Sequence, residues 1–169
     1  VASSGNGTIL HLAAELFKDT AGVFSTHIPY RGFGPMLTDI MSGQVDWGVG
    51  ALPAVVGQIK AGTVKALCIA SSARNAAIAD VPTSAQAGLP AFEIGGWSAV
   101  VGPKGMAPEV VKRVNSAVRT AFETAEVKDA MVKQGNTITL STPEVAQAYF
   151  RSEMQRYAAL VRKAGVEPQ

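Results

Sequence analysis

The run Ser3-Ser4-Gly5-Asn6-Gly7-Thr8 puts two hydroxyls, two glycines flanking an amide, and a third hydroxyl directly ahead of an apolar helical stripe. Ile9, Leu12, Ala13, Leu16 and Phe17 recur at the spacing of one helix face, and Gly22 closes the pattern. The chain must therefore make a tight, side-chain-poor turn and start an amphipathic helix. Peptide N–H groups in the first turn of a helix lack intrahelical acceptors, and the helix dipole adds partial positive charge there. Glycines let a ligand reach that backbone, and hydroxyls add donors without a cation. Two readings fit the run: an anion-holding turn, or an ordinary N-capped helix with a flexible lead-in.

Strand-like and helical stretches alternate after this helix. Ser25–Tyr30 reads as a short strand and Arg31-Gly32-Phe33-Gly34-Pro35 as a turn, with Pro35 at the first helical position. The helix through Met36, Leu37, Ile40 and Met41 ends at Gly43. Gln44–Val49 reads as a second strand, followed by Gly50-Ala51-Leu52-Pro53 and a helix reaching Ala61-Gly62. Val64–Ala70 reads as the third and most continuous strand. This alternation predicts an α/β fold with a parallel sheet. The chain opens on the glycine turn without the strand that would deliver it, and it has neither an initiator Met nor a signal peptide. Both features read as a processed, trimmed or excised piece.

From Ser71 the pattern loosens. A small helix is expected from Val81-Pro82-Thr83 to Gly88-Leu89-Pro90, a crossover between lobes at Phe92–Gly96, and an apolar strand over Trp97–Gly102. The remainder is mostly helical. Pro108 starts a helix striped with Val110, Val111, Val114, Ala117, Val118, Ala121 and Phe122. A shorter one through Val127, Ala130 and Met131 ends at Gly135, and Thr137–Leu140 reads as an edge strand. Ser141-Thr142-Pro143-Glu144 is a capping box opening a helix with Ala146, Tyr149, Phe150, Met154, Tyr157 and Val161 on one face.

Composition narrows the function. Hydrophobic residues make up 47%, charged residues 17%, and the net charge is +2 with no basic run, which argues against nucleic acid as a partner. No apolar run approaches the ~20 residues of a membrane-spanning helix. Cys68 sits in an apolar run, which reads as a small buried residue. His11 and His27 have no Cys, second His or carboxylate at ligand spacing, so no metal and no cofactor is expected. His11 shares a helix side with Glu15 and Lys18, which reads as a solvated face. A Ser4–His11–Asp39 triad lacks a nucleophile elbow, and the turn lacks the Lys of a P-loop.

Tyr30-Arg31-Gly32 and Gly50-Ala51 each follow a strand, so in a parallel sheet they share an edge with the opening turn. Ligands bind at that edge. The candidate ligand-binding residues are Ser4, Gly5, Asn6, Gly7, Thr8, Tyr30, Arg31, Gly32, Gly50 and Ala51. Arg31 also fits a plain surface charge, Tyr30 an amphipathic rim residue, and Trp97 either a cleft lining or core packing.

With these residues in view, the chain resembles the solute receptors of tripartite tricarboxylate transporters, the Bug family. The matching stretches are Ser3–Thr8 with His11-Leu12-Ala13, His27–Gly32, Gly43–Asp46, Ile59–Leu67, Asp80–Thr83, Ala87–Pro90 and Ala164-Gly165-Val166. The resemblance implies a periplasmic-binding-protein-like fold of type II. It divides the chain into a three-layer ligand-binding α/β lobe (residues 1–93) and the C-terminal, mostly helical part of a second lobe (residues 94–169). It further implies capture of a small carboxylate-bearing organic anion in the periplasm, membrane transporter subunits as partners, and no enzymatic activity. A sensor subunit of the same fold and an α/β enzyme using the glycine turn are the rival readings. Relative to the family, an N-terminal portion is missing, and Val49-Gly50-Ala51 stands where an acidic or amide residue is frequent. That departure implies self-association or a retained N-terminal fragment.

Overall fold

A computed structural model describes residues 1–165. Val166 and the end of the 94–169 segment lie outside the described residues. Two short strands, β1 (Ala2–Ser3) and β2 (Ile28–Pro29), pair in parallel, with Ala2 opposite Ile28. On its other side Ala2 forms a parallel bridge to Gly48. β1 is thus the middle of three parallel segments, and it is the delivering strand that the sequence reading found missing.

Helix α1 (Ile9–Ala21) follows β1 through the glycine turn. Thr8 caps it by accepting the His11 N–H. It closes on Gly22 in the left-handed region (φ 64), where the Gly22 N–H reaches Asp19 and the Val23 N–H reaches Lys18 at 3.0 Å. This is a Schellman ending, and glycine fits it because it has no Cβ. Helix α2 (Phe33–Met41) starts two residues earlier than the sequence suggested. Pro35 therefore stands in its first turn rather than first in line, where its missing N–H still leaves no helical bond unmade. Helix α3 (Leu52–Lys60) agrees with expectation, as do α4 (Pro108–Glu123), α5 (Ala125–Lys133) and α6 (Pro143–Lys163). Thr142 of the Ser141–Glu144 run caps α6 by accepting the Val145 N–H, with Pro143 first in the helix.

Four expected strands do not form ladders. Gln44–Val49 contributes only the Gly48 bridge, and Val64–Ala70 only a bridge from Ile69 to Thr83. Trp97–Gly102 and Thr137–Leu140 are without regular pairing. An apolar run suits a sheet surface, but a strand exists only where a neighbour supplies ladder hydrogen bonds. Beside residues 44–49 that neighbour is β1, only two residues long, and Gly48 is the residue of the run that bridges to it. The expected helix from Val81 to Gly88 is instead a single closed turn. The Gln86 N–H donates to Thr83 Oγ1, and the Thr83 N–H to Gln86 Oε1. Gly88 (φ 89) ends it.

Two apolar clusters form the core of the described residues, and one of them is built on α1. In the first, Ala2, Met36 and Val45 are buried with Tyr30, Phe33 and Ile40 around them. In the one on α1, Leu12 and Ala13 meet Phe92 and Ile94, with Leu160 and Val161 of α6 and its C-cap residue Ala164 packed against them. α6 also clasps the 93–97 segment. Tyr157 donates its hydroxyl to Gly95 O (2.7 Å), Arg156 Nη2 donates to Glu93 O (2.9 Å), and the Trp97 indole donates to buried Glu153 (3.1 Å). Among the described residues no helix is long and apolar enough to cross a membrane.

Candidate functional site

The opening turn is a closed, hydroxyl-rich loop. Thr8 Oγ1 donates to Gly5 O (2.8 Å) and accepts from Ser4 Oγ (3.2 Å) and from the His11 N–H (3.3 Å). Gly5 and Gly7 take φ of 136 and 71, which side-chain-bearing residues adopt only with strain. The Ile9 and Leu10 N–H groups of the first helical turn have no acceptor within α1. Asn6 and Gly7 are exposed at the tip.

This loop is bonded directly to the second one. The Tyr30 N–H donates to Ser3 O (2.9 Å) and the Gly32 N–H to Ser4 O (3.1 Å), continuing the parallel register past the end of the strands. A Cβ on Gly5 would stand 3.3 Å from Tyr30 O, so the two turns lie in backbone contact. The Gly50 turn comes next. A Cβ there would meet the Phe33 ring at 2.9 Å, which places Gly50 beside the first residue of α2. Ala51 caps α3 without a side-chain bond and is exposed. All three turns therefore leave the same end of the parallel segments.

Not every candidate side chain faces that end as a free donor. Tyr30 donates its hydroxyl to Asp39 Oδ2 at 2.7 Å, which pushes the phenol above its ordinary range and anchors β2 to α2. Arg31 is exposed and forms no hydrogen bond or ion pair among the described residues. His11 is a correction: its side belongs to the interior, with the residue 8% exposed. Its Nδ1 accepts the Gly7 N–H at 3.1 Å, and its ring stacks on His27 with centroids 3.9 Å apart. His27 Nε2 in turn lies 2.6 Å from buried Ser3 Oγ. This pair escaped the sequence reading, although a histidine four residues after a glycine and three into a helix is placed to reach back to that glycine's N–H.

The turns present hydroxyls and peptide N–H groups with one peripheral guanidinium, a set suited to a small anion. A small open cleft of about 20 Å³ lies elsewhere, between α1 and the end of α6, lined by Leu12, Glu15, Leu16, Asp19, Leu160 and Ala164. Its aliphatic and carboxylate lining is the wrong chemistry for an anion. Among the described residues no cluster of His, Cys, Asp or Glu could hold a metal ion.

The family model described as tripartite tricarboxylate transporter family receptor matches residues 1–166. The chain belongs to that family. Protein BugT of Bordetella pertussis is 35% identical over 161 residues, covering 95% of this chain and 49% of BugT. Among solved structures, an R. palustris protein with adipate superposes with a TM-score of 0.90 at 30% identity, covering 99% of this chain and 56% of that one. MatC from Rhodopseudomonas palustris, with bound malate, superposes at 0.81 and 31% identity, covering 95% and 55%. This receptor-family chain thus spans about half the length of these relatives. Its fold is the α/β fold of periplasmic binding proteins, and the family is one of receptors, not enzymes.

Proposed function

We propose that this chain is the ligand-facing portion of an extracytoplasmic solute-binding protein that captures a small carboxylate-bearing organic anion. It then presents that anion to the membrane subunits of a tripartite tricarboxylate-type transporter. The observation that carries this reading is the Ser4–Thr8 turn, a hydroxyl and peptide-N–H mouth hydrogen-bonded to the Tyr30–Gly32 turn. Adipate and malate in two structural relatives support a carboxylate as the ligand class. Ser4, Gly5, Asn6, Gly7 and Thr8 line the carboxylate site. The Ser4 and Thr8 hydroxyls and the Gly5 and Gly7 N–H groups are held by acceptors within or beneath the turn and reach the carboxylate by exchanging those acceptors for it. Gly32, Gly50 and Ala51 keep the neighbouring walls small, Tyr30 braces its turn through Asp39, and Arg31 stands at the rim. Residues 1–93 act as the ligand-binding lobe and residues 94–169 as part of the second, with the periplasm as the site of action. Titration calorimetry with malate and adipate tests the reading. Saturable binding that Thr8→Ala weakens is expected, and affinity unaffected by changes in all three turns would overturn it.

A further inference from the structure

The stacked histidines lie directly beneath the opening turn. The rings are nearly parallel, 7° apart, with 3.9 Å between centroids. To accept the Gly7 N–H, His11 Nδ1 must be unprotonated, so the neutral ring carries its hydrogen on Nε2. Nε2 faces Glu15 Oε1 at 3.7 Å. Adding a proton therefore means adding it at Nδ1, where it opposes the Gly7 N–H as donor against donor.

We propose that His11 is a proton-operated latch on the opening turn: the neutral ring holds the Gly7 N–H inward, and protonation at Nδ1 releases it. The charged groups acting on the pair are Glu15 and Lys18 on α1, and the His11 ring acts on His27. Glu15 favours a cation on the pair, while Lys18 opposes one. Two imidazolium rings at stacking distance repel, so the pair takes up one proton before two. The carboxylate within reach of His11 Nε2 makes His11 the ring that takes it. Burial of both rings delays that event to acid pH. Release turns one more N–H toward the mouth and places positive charge under it. Resting on the carboxylate-site reading above, the latch then tightens the hold on an anion as pH falls, and a bound anion reciprocally eases protonation of His11.

Nitrogen-15 NMR on the labelled protein, followed from about pH 8 to about pH 4.5, tests this. The Gly7 amide is expected to shift with the same midpoint as His11 Nδ1. Glu15→Gln is expected to lower that midpoint, and His11→Phe to abolish the Gly7 transition. A Gly7 amide that stays still while His11 titrates overturns the latch, as does a transition that survives in His11→Phe. Should His11→Phe not fold, an unmoved midpoint in Glu15→Gln overturns it. For the linked ligand effect, malate and adipate affinity in the wild type should gain about fivefold relative to His11→Phe between those pH limits. Comparison with the variant cancels protonation of the ligand itself. A Gly7 amide that tracks His11 without any binding of either acid upholds the latch and overturns the carboxylate-site reading instead. Binding with one pH profile in both proteins overturns the coupling.

Discussion

The Trp97 indole N–H donates to Glu153 Oε2 across 3.1 Å, joining the 93–97 segment to the middle of α6. Glu153 is buried and also lies 3.5 Å from Arg156, so its carboxylate satisfies two donors. Glu153→Ala would leave the indole N–H without its acceptor and should cost about 1–3 kcal/mol. Glu153→Gln, whose amide oxygen still accepts from Trp97, should cost less. Urea unfolding of both variants checks the order. Equal losses would mean that packing, not the hydrogen bond, is what matters.

Thr8 closes the opening turn and caps α1, so its removal should register twice. Thr8→Ala is expected to lose about 1 kcal/mol of stability as a missing N-cap. In carboxylate binding it should lose about tenfold or more, since a charge-assisted bond is removed. Thr8→Ser keeps the hydroxyl and should stay near wild type in both. Calorimetry and thermal melts on the pair separate the two effects. Gly7→Val should bind worse still. Its Cβ would point into open space at the mouth, and its positive φ adds roughly 1–2 kcal/mol of strain.

Arg31 stands exposed without a partner among the described residues, which suits a steering charge rather than a clamp. Arg31→Lys should leave equilibrium affinity within about threefold, while Arg31→Ala should slow association and flatten its dependence on salt. Stopped-flow binding at two ionic strengths measures this. A large loss of affinity in Arg31→Lys at fixed salt would place the planar guanidinium on the ligand instead.

Burial lowers the pKa of both His11 and His27 below the ordinary imidazole value of 6.5. Between their folded values and 6.5 the unfolded chain therefore binds more protons than the folded one. Stability rises with pH across that window. It should be complete above about pH 6.5 and fall as acid is added through that value. Denaturation midpoints taken across the window should show this fall. A His11→Phe/His27→Phe variant should flatten it, and an identical pH profile in that variant would remove the pair from the cause.

α4 and α6 expose Val110, Val114, Val145, Tyr149 and Met154, and the segment before α4 exposes Val100 and Val101, the latter 80% accessible. Exposed apolar side chains suit a partner surface, and the prediction is that a second copy of the chain covers them. Sedimentation velocity should show mass rising with concentration, and Val101→Glu/Met154→Lys should reduce it. A monomer at all concentrations, or a separate peptide found by denaturing mass analysis, would count against self-association.

The helices were legible because their signals are local. Thr8, Thr142, Pro108 and Gly22 mark ends whose geometry depends on a few neighbouring residues, and α1, α4 and α6 begin or stop there. Thr124, which caps α5, was as local a signal but went unread. The convergence of the three turns was legible too, because parallel strands fix which end a following turn occupies. The strands themselves were not. Val64–Ala70 has the composition of a strand, yet only Ile69 forms a bridge, and its partner, Thr83, belongs to a segment read as helix. The His11–His27 stack was equally hidden, since it depends on β1 and β2 pairing in one register rather than on spacing along the chain.

Ala2 has 0% exposure and touches backbone on both sides, Ile28 on one and Gly48 on the other. A side chain at Gly48 would collide with Ala2 O at 3.0 Å and with the tips of Met36 and Ile40 at 2.9 Å. The spacing of the three turns is thus gauged from a two-residue ruler that never reaches the mouth. Shape and selectivity reside in different residues: the turns can exchange hydroxyls, amides and charges while the ruler keeps them at one pitch. Widening the ruler by a single methyl group at Gly48 would spread the whole mouth without altering any group that meets the anion.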